Sequence, residues 1–216
     1  MKRKLAILGI AGISLMGSLS VQAQKTEKLF NGKDLSNWEF LVDKNSVPAE
    51  QVYSVKDGMI QIAGQPFGYM YTKQKYSNYK LHVEWRWPDG KEANSGIFLL
   101  IEDLKNPFPN GVECQLHAGD AGDFVLLGGS DLAEFQNKPG QPRPAFPVVQ
   151  KHTKSSENKA GEWNEANIFV KDGVITVYIN GVYQNTGTNK VKEVHIGLQS
   201  EGGPIQFRNV TLTPWE

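Results

Sequence analysis

The chain has 216 residues, with 23 basic and 23 acidic side chains, so its formal charge is zero. That balance argues against a nucleic-acid partner, which needs a basic surplus on one face. A single cysteine, Cys114, excludes an internal disulfide, so stability must come from a packed core.

Lys2, Arg3 and Lys4 precede an apolar run from Leu5 to Leu19, and Val21-Gln22-Ala23 follows. A basic start, a short apolar stretch and a small-x-small site describe a secretory signal peptide over 1–23, cleaved after Ala23. The run is too short and too rich in Gly and Ser for a membrane span. No Cys follows it to carry a lipid, so no membrane anchor is expected. The expectation is a secreted or periplasmic protein with one domain over 24–216. The leader removes three basic residues and no acid, leaving about 190 residues with a charge near −3, ample for one core.

The first elements expected are a short strand from Lys28, an Asn31-Gly32 turn, and Trp38 returning to the core. Gln51–Val55 and Met59–Ala63 flank Asp57-Gly58, a strong hairpin signal. Strands follow at Tyr69–Thr72 and Tyr79–Trp87. In the latter, Leu81, Val83, Trp85 and Trp87 share one face and His82, Glu84 and Arg86 the other. Ile97–Ile101 is continuously apolar, as expected of a strand covered on both faces.

The stretch from Leu126 to Glu157 lacks periodicity and holds Pro139, Pro142, Pro144 and Pro147. It reads as a long excursion over one rim of the fold. Trp163–Val170, Val174–Ile179 and Val182–Asn185, joined by Asp172-Gly173 and Asn180-Gly181, read as a meander. Val194–Glu201 alternates again, with Val194, Ile196 and Leu198 inward and Gly197, Gln199 and Glu201 outward. Phe207–Thr213 closes the chain. Many short strands joined by Gly and Asn turns predict an all-β sandwich or barrel.

The most informative stretch is Gly111–Asp120, GVECQLHAGD. Val112, Cys114 and Leu116 alternate with Glu113, Gln115 and His117, so the second set shares a face. A carboxylate, an amide and an imidazole in one row form a candidate working surface. Glu84 and Glu201 also lie opposite apolar faces. If their strands neighbour that of Glu113, the three rows make one polar surface on one sheet. The duller alternative is a solvated outer face with no role.

Other chemistries find less support. No Gly-x-Ser-x-Gly marks a serine nucleophile. Four histidines, none in His-Glu-x-x-His, argue against catalytic zinc. Glu113, Glu84 and Glu201 could offer oxygen ligands to a divalent cation, although no cofactor is required. What remains is acid–base chemistry by carboxylate and imidazole, or carbohydrate binding without turnover.

Seven segments occur in order: Leu29-Phe30-Asn31-Gly32-Lys33-Asp34-Leu35-Ser36-Asn37-Trp38, Asn94-Ser95-Gly96-Ile97-Phe98, Gly111-Val112-Glu113-Cys114-Gln115-Leu116, Gly161-Glu162-Trp163-Asn164, Asn180-Gly181, Ile196-Gly197-Leu198-Gln199 and Phe207-Arg208-Asn209-Val210. Together they resemble the 3-keto-disaccharide hydrolase domain family. The resemblance implies a concanavalin A-like jelly-roll sandwich acting on 3-keto-glycosides. A C3 ketone acidifies the C2 proton, so a base can remove it while the C1 substituent leaves, and water addition completes hydrolysis.

On this resemblance, Glu113 or His117 is the base, and the other, or Glu201, is the acid. Glu84, Arg86, Asn94, Gln115 and Gln199 are the expected substrate-binding residues. Some relatives carry a His in the turn where this chain has Ser200-Glu201-Gly202-Gly203; a role held by that His would fall here to Glu201 or His117. Two competing readings share the fold. One is a non-catalytic carbohydrate-binding module; the other is a conventional glycoside hydrolase, which needs two carboxylates about 5–5.5 Å apart if retaining. The paired-acid pattern Glu-x-Asp-x-x-Glu is interrupted by Gln115 and Ala118.

Overall fold

The computed structural model describes residues 24–190 and 192–215; the expected leader, 1–23, lies outside the described residues. The chain forms β1 (Glu27–Lys28), β2 (Trp38–Val42), β3 (Tyr53–Lys56), β4 (Met59–Ile62) and β5 (Gly68–Thr72). Then come β6 (Tyr79–Arg86), β7 (Gly96–Ile101), β8 (Gly111–Gln115), β9 (Phe124–Leu127) and β10 (Val148–Val149). The last are β11 (Asn164–Lys171), β12 (Val174–Ile179), β13 (Val182–Thr188), β14 (His195–Ser200) and β15 (Ile205–Pro214).

These strands make two antiparallel sheets packed as a sandwich. The back sheet runs β13-β12-β11-β6-β15-β4-β3, with β1 added on β15. The front sheet runs β10-β9-β8-β7-β14-β5-β2. Local sequence explains the hairpins. Asp57-Gly58, Asp172-Gly173 and Asn180-Gly181 all adopt positive φ, as type I′ turns require, and their twist matches the flanking strands.

Alternation fills the interior. Tyr79, Leu81, Val83 and Trp85 of β6 enter it, as do Val112 and Cys114 of β8 and Ile196 and Leu198 of β14. Trp38 returns to this core as its segment predicts, and its Nε1 donates to the Leu29 carbonyl at 2.9 Å. The front sheet also carries a second apolar cluster on its outer face: Tyr69, Phe98, Ile101, Val125 and Leu127. This double cover accounts for the unbroken apolar run in β7, where all six residues are buried.

Two expected boundaries are corrected. The strand expected at Gln51–Val55 begins at Tyr53, after a 3-10 turn over Ala49–Gln51. The excursion expected over Leu126–Glu157 includes the end of β9 and all of β10. Val148 and Val149 pair there with Val125 and Phe124. Both β9 faces are buried, so its four apolar residues have no alternation to reveal them.

Candidate active site

Glu113 stands on the outer face of β8, between Phe98 of β7 and Val125 of β9, and is only 3% exposed. Its carboxyl occupies the space above Gly96, where a Cβ would overlap Glu113 Oε1. On the far side of β7 lies β14. There Gln199 points outward and donates from Nε2 to Glu201 Oε2 at 2.7 Å. Strands two positions apart are separated by about 9.6 Å. The missing side chain at Gly96 is what lets groups from both reach one space.

Electrostatics couple the two carboxyls. Burial pushes the Glu113 carboxyl well above its ordinary value, and the charge of Glu201 adds to the effect. Burial also raises Glu201, against the lowering effect of the Gln199 hydrogen bond and of the nearby His117. Glu113, the more deeply buried, is therefore the weaker acid of the two, the arrangement that separates proton donor from acceptor.

Several polar atoms here are buried without a partner: Glu113 Oε1, Gln199 Oε1, Asn94 Oδ1 and the Tyr69 hydroxyl. Tyr69 is paired with Gln199 in the sheet register, and its ring lies 5.3 Å from that of Phe98. Burial, with the charges of Tyr71 and Asp103, raises the Tyr69 pKa, so the hydroxyl keeps its proton and remains a donor. Asn94 packs against Gly202, beside Glu201. An orphaned buried polar group forfeits about 1–3 kcal/mol of solvation. Such a concentration is what a site for a polar ligand would leave.

Beyond the end of β8, His117 is half-exposed, and its Nδ1 lies 2.9 Å from Asp120 Oδ2. The loop carrying this pair is tied down firmly. Glu157 accepts from the amides of Gly119 and Ala121, and Lys151 donates to the Gly119 carbonyl. Gln115 turns back on its own chain, its Oε1 accepting from the amides of Leu116 and His117. It shapes the turn that delivers His117, leaving only its amide NH2 for a ligand.

Glu84 and Arg86 require correction. They lie on β6 in the back sheet, not on the sheet of Glu113 and Glu201. Glu84 is engaged by Arg208 Nε and Asn209 Nδ2, both at 2.6 Å. Burial alone would raise its carboxyl, but these hydrogen bonds and the Arg208 charge outweigh it and lower the pKa. Arg86 donates to Gln206 Oε1 at 2.7 Å and lies over Trp163. The three carboxylates weighed as cation ligands thus do not share one site. Among the described residues, no group of three or more His, Cys, Asp or Glu is placed to hold a metal.

Sequence reasoning also missed Tyr69, Gly96 and Asp120. A glycine opening an apolar strand signals close approach of another group, so Gly96 was findable. A tyrosine alternating with Met70 looks like any strand aromatic, and nothing local marks its orphaned hydroxyl.

Fold and site together define a concanavalin A-like β-sandwich with a cluster of unpartnered buried polar groups on its front sheet. Solved structures agree on the fold. A Parabacteroides distasonis ATCC 8503 protein, solved under the provisional name of glycosyl hydrolase, superposes with a TM-score of 0.65 at 23% identity, over 88% of this chain and 94% of that one. The β-glucanase of Bacillus licheniformis gives a TM-score of 0.56 at 10% identity, over 91% and 100% of the two chains. The Bacillus subtilis carbohydrate-binding module CBM66 gives 0.58 at 11% identity, over 82% and 95%.

A family model described as a 3-keto-alpha-glucoside-1,2-lyase-like domain matches residues 25–213. The chain belongs to this carbohydrate-active family, the 3-keto-disaccharide hydrolases. It is 25% identical over 173 residues to the 3-keto-disaccharide hydrolase of Bacteroides thetaiotaomicron, a match covering 73% of this chain and 56% of that protein.

Proposed function

We propose that the protein cleaves the glycosidic bond of 3-keto-glycosides by base-promoted elimination across C1 and C2. The observation that carries this reading is the convergence of a buried carboxyl whose acidity burial weakens, a second carboxyl and orphaned hydrogen-bonding atoms at one place. His117, its Nδ1 held by Asp120, takes the C2 proton at Nε2. The released electron pair forms an enolate whose negative charge rests on the C3 oxygen. The Tyr69 hydroxyl is the orphaned donor suited to it, while the orphaned Gln199 and Asn94 oxygens are placed to accept from sugar hydroxyls.

As the C1–O bond breaks, the departing oxygen takes the proton of Glu113. Water added across C1 and C2 converts elimination into net hydrolysis, with Glu201 as the nearby carboxylate able to activate it. The N-terminal pattern supports export to the periplasm or the medium, and N-terminal sequencing of the native protein would establish cleavage after Ala23.

A second reading, an ordinary glycoside hydrolase, draws on the Glu113–Glu201 pair. Deuterium at C2 of a 3-keto-disaccharide separates the two. Elimination predicts slower turnover of the labelled substrate and loss of label to water. Direct displacement at C1 predicts full retention of C2 label in the product, which would overturn the proposal. His117→Ala is expected to lower kcat about 10²–10⁴-fold.

A further inference from the structure

The side chains of His117 and Asp120 are 52% and 53% exposed, and an exposed ion pair by itself holds its geometry weakly. Asp120 nevertheless turns Oδ2 to His117 Nδ1 at 2.9 Å. Its other oxygen, Oδ1, faces Lys151 Nζ at 3.7 Å. The Lys151 side chain is only 12% exposed, and its ammonium is tied down on two further sides. It donates to the Gly119 carbonyl at 2.8 Å and lies 3.6 Å from Asp123 Oδ1. Asp123 Oδ1 also accepts from the Lys151 backbone amide at 2.8 Å, which fixes where the lysine enters.

Chain topology delivers this cation. Lys151 stands two residues beyond β10, whose pairing with β9 closes the long excursion. Gly119, Asp120 and Asp123 lie in the loop joining β8 to β9, so β10 brings the ammonium back alongside them. A carboxylate can only accept hydrogen bonds. With Oδ1 held by Lys151, Asp120 presents Oδ2 as an acceptor, and the proton of a neutral His117 is fixed on Nδ1. Nε2 is left bare. The imidazole bears in turn on Glu201, opposing the effect of burial there, so its orientation matters at the site.

We propose that Lys151 is a positioning residue for the elimination base, clamping Asp120 so that His117 presents an unprotonated Nε2 to the substrate. The inference rests on the reading of His117 as that base. It adds what holds the base in the required tautomer.

The test is long-range proton–nitrogen NMR of protein labelled with nitrogen-15 in its imidazoles, at mildly alkaline pH. Loss of signals in His117→Gln assigns the ring. The wild type is expected to show the Nδ1–H tautomer, and Lys151→Met to lose that preference. Lys151→Arg, which keeps the charge, should regain it. With a 3-keto-disaccharide, Lys151→Met should lower kcat about 10–10²-fold and leave KM within about two-fold of the wild type. A lysine that merely braces the fold would lower the melting temperature and leave the tautomer unchanged. That result, or an Nε2–H imidazole in the wild type, would overturn the proposal. Should Lys151→Met fail to fold, Lys151→Gln, which keeps a donor for the Gly119 carbonyl, carries the same comparison. Absence of turnover by the wild type, with the tautomer responding to Lys151 as expected, would remove the elimination chemistry and leave the clamp standing.

Discussion

Glu113 shows why a site residue can be visible in sequence while its state is not. Alternation with Val112 and Cys114 places it on the face away from the core, and that much was legible. Its burial was not, because the residues that flank it, Phe98 on β7 and Val125 on β9, come from other strands. That burial has a thermodynamic signature. The native pKa of Glu113 lies above its ordinary value of 4.5, so its protonated form contributes stability that is complete below that value. The contribution is lost as pH rises through the raised native pKa. Denaturant titrations of the wild type at pH 4, 6 and 8 should show stability falling across this window. Glu113→Gln, neutral at every pH, should flatten the curve, gain on the wild type as pH rises, and abolish turnover. Parallel curves for the two proteins would mean that Glu113 is ionised in the native state.

At the level of elements, the site depends on how β7 separates β8 from β14. The sequence marked all three strands, and their inward sets, including Ile97, Val112 and Leu198, are core residues. Their order in the sheet was less accessible. Alternation states which side chains share a face of one strand but carries no information on which strand lies beside which. That is why Glu84 could be grouped with Glu113 and Glu201 although β6 belongs to the other sheet. The same limit hid the reach of Glu113 over Gly96. A methyl at 96 would enter the space of the Glu113 carboxyl, so Gly96→Ala should cost about 1–3 kcal/mol and most of the activity. Combining it with Glu113→Ala should restore stability but not activity. If the double variant is no more stable than Gly96→Ala alone, the close approach is not what fixes this glycine.

On the scale of the whole molecule, the sandwich separates two polar faces with different work to do. The back face is internally satisfied: Glu84 holds Arg208 and Asn209, Arg86 holds Gln206, and both arginines lie over Trp163. The front face leaves acceptors and a donor unpaired. Unsatisfied polarity, rather than polarity itself, distinguishes a binding face from a structural one. Arg208→Ala should therefore lower stability by about 1 kcal/mol, as for a partly exposed charged pair. It should leave kcat/KM at the front face within about two-fold of the wild type, and a large loss would assign the back face a part in turnover.

The most direct test of the account is product analysis by mass spectrometry, with matched 3-keto-disaccharide and unoxidised parent incubated with wild-type protein and with Glu113→Gln. The account predicts cleavage of the keto sugar alone, reduced at least about 10²-fold by Glu113→Gln. Equal cleavage of the parent sugar, or an intact keto sugar with the wild type, would contradict it.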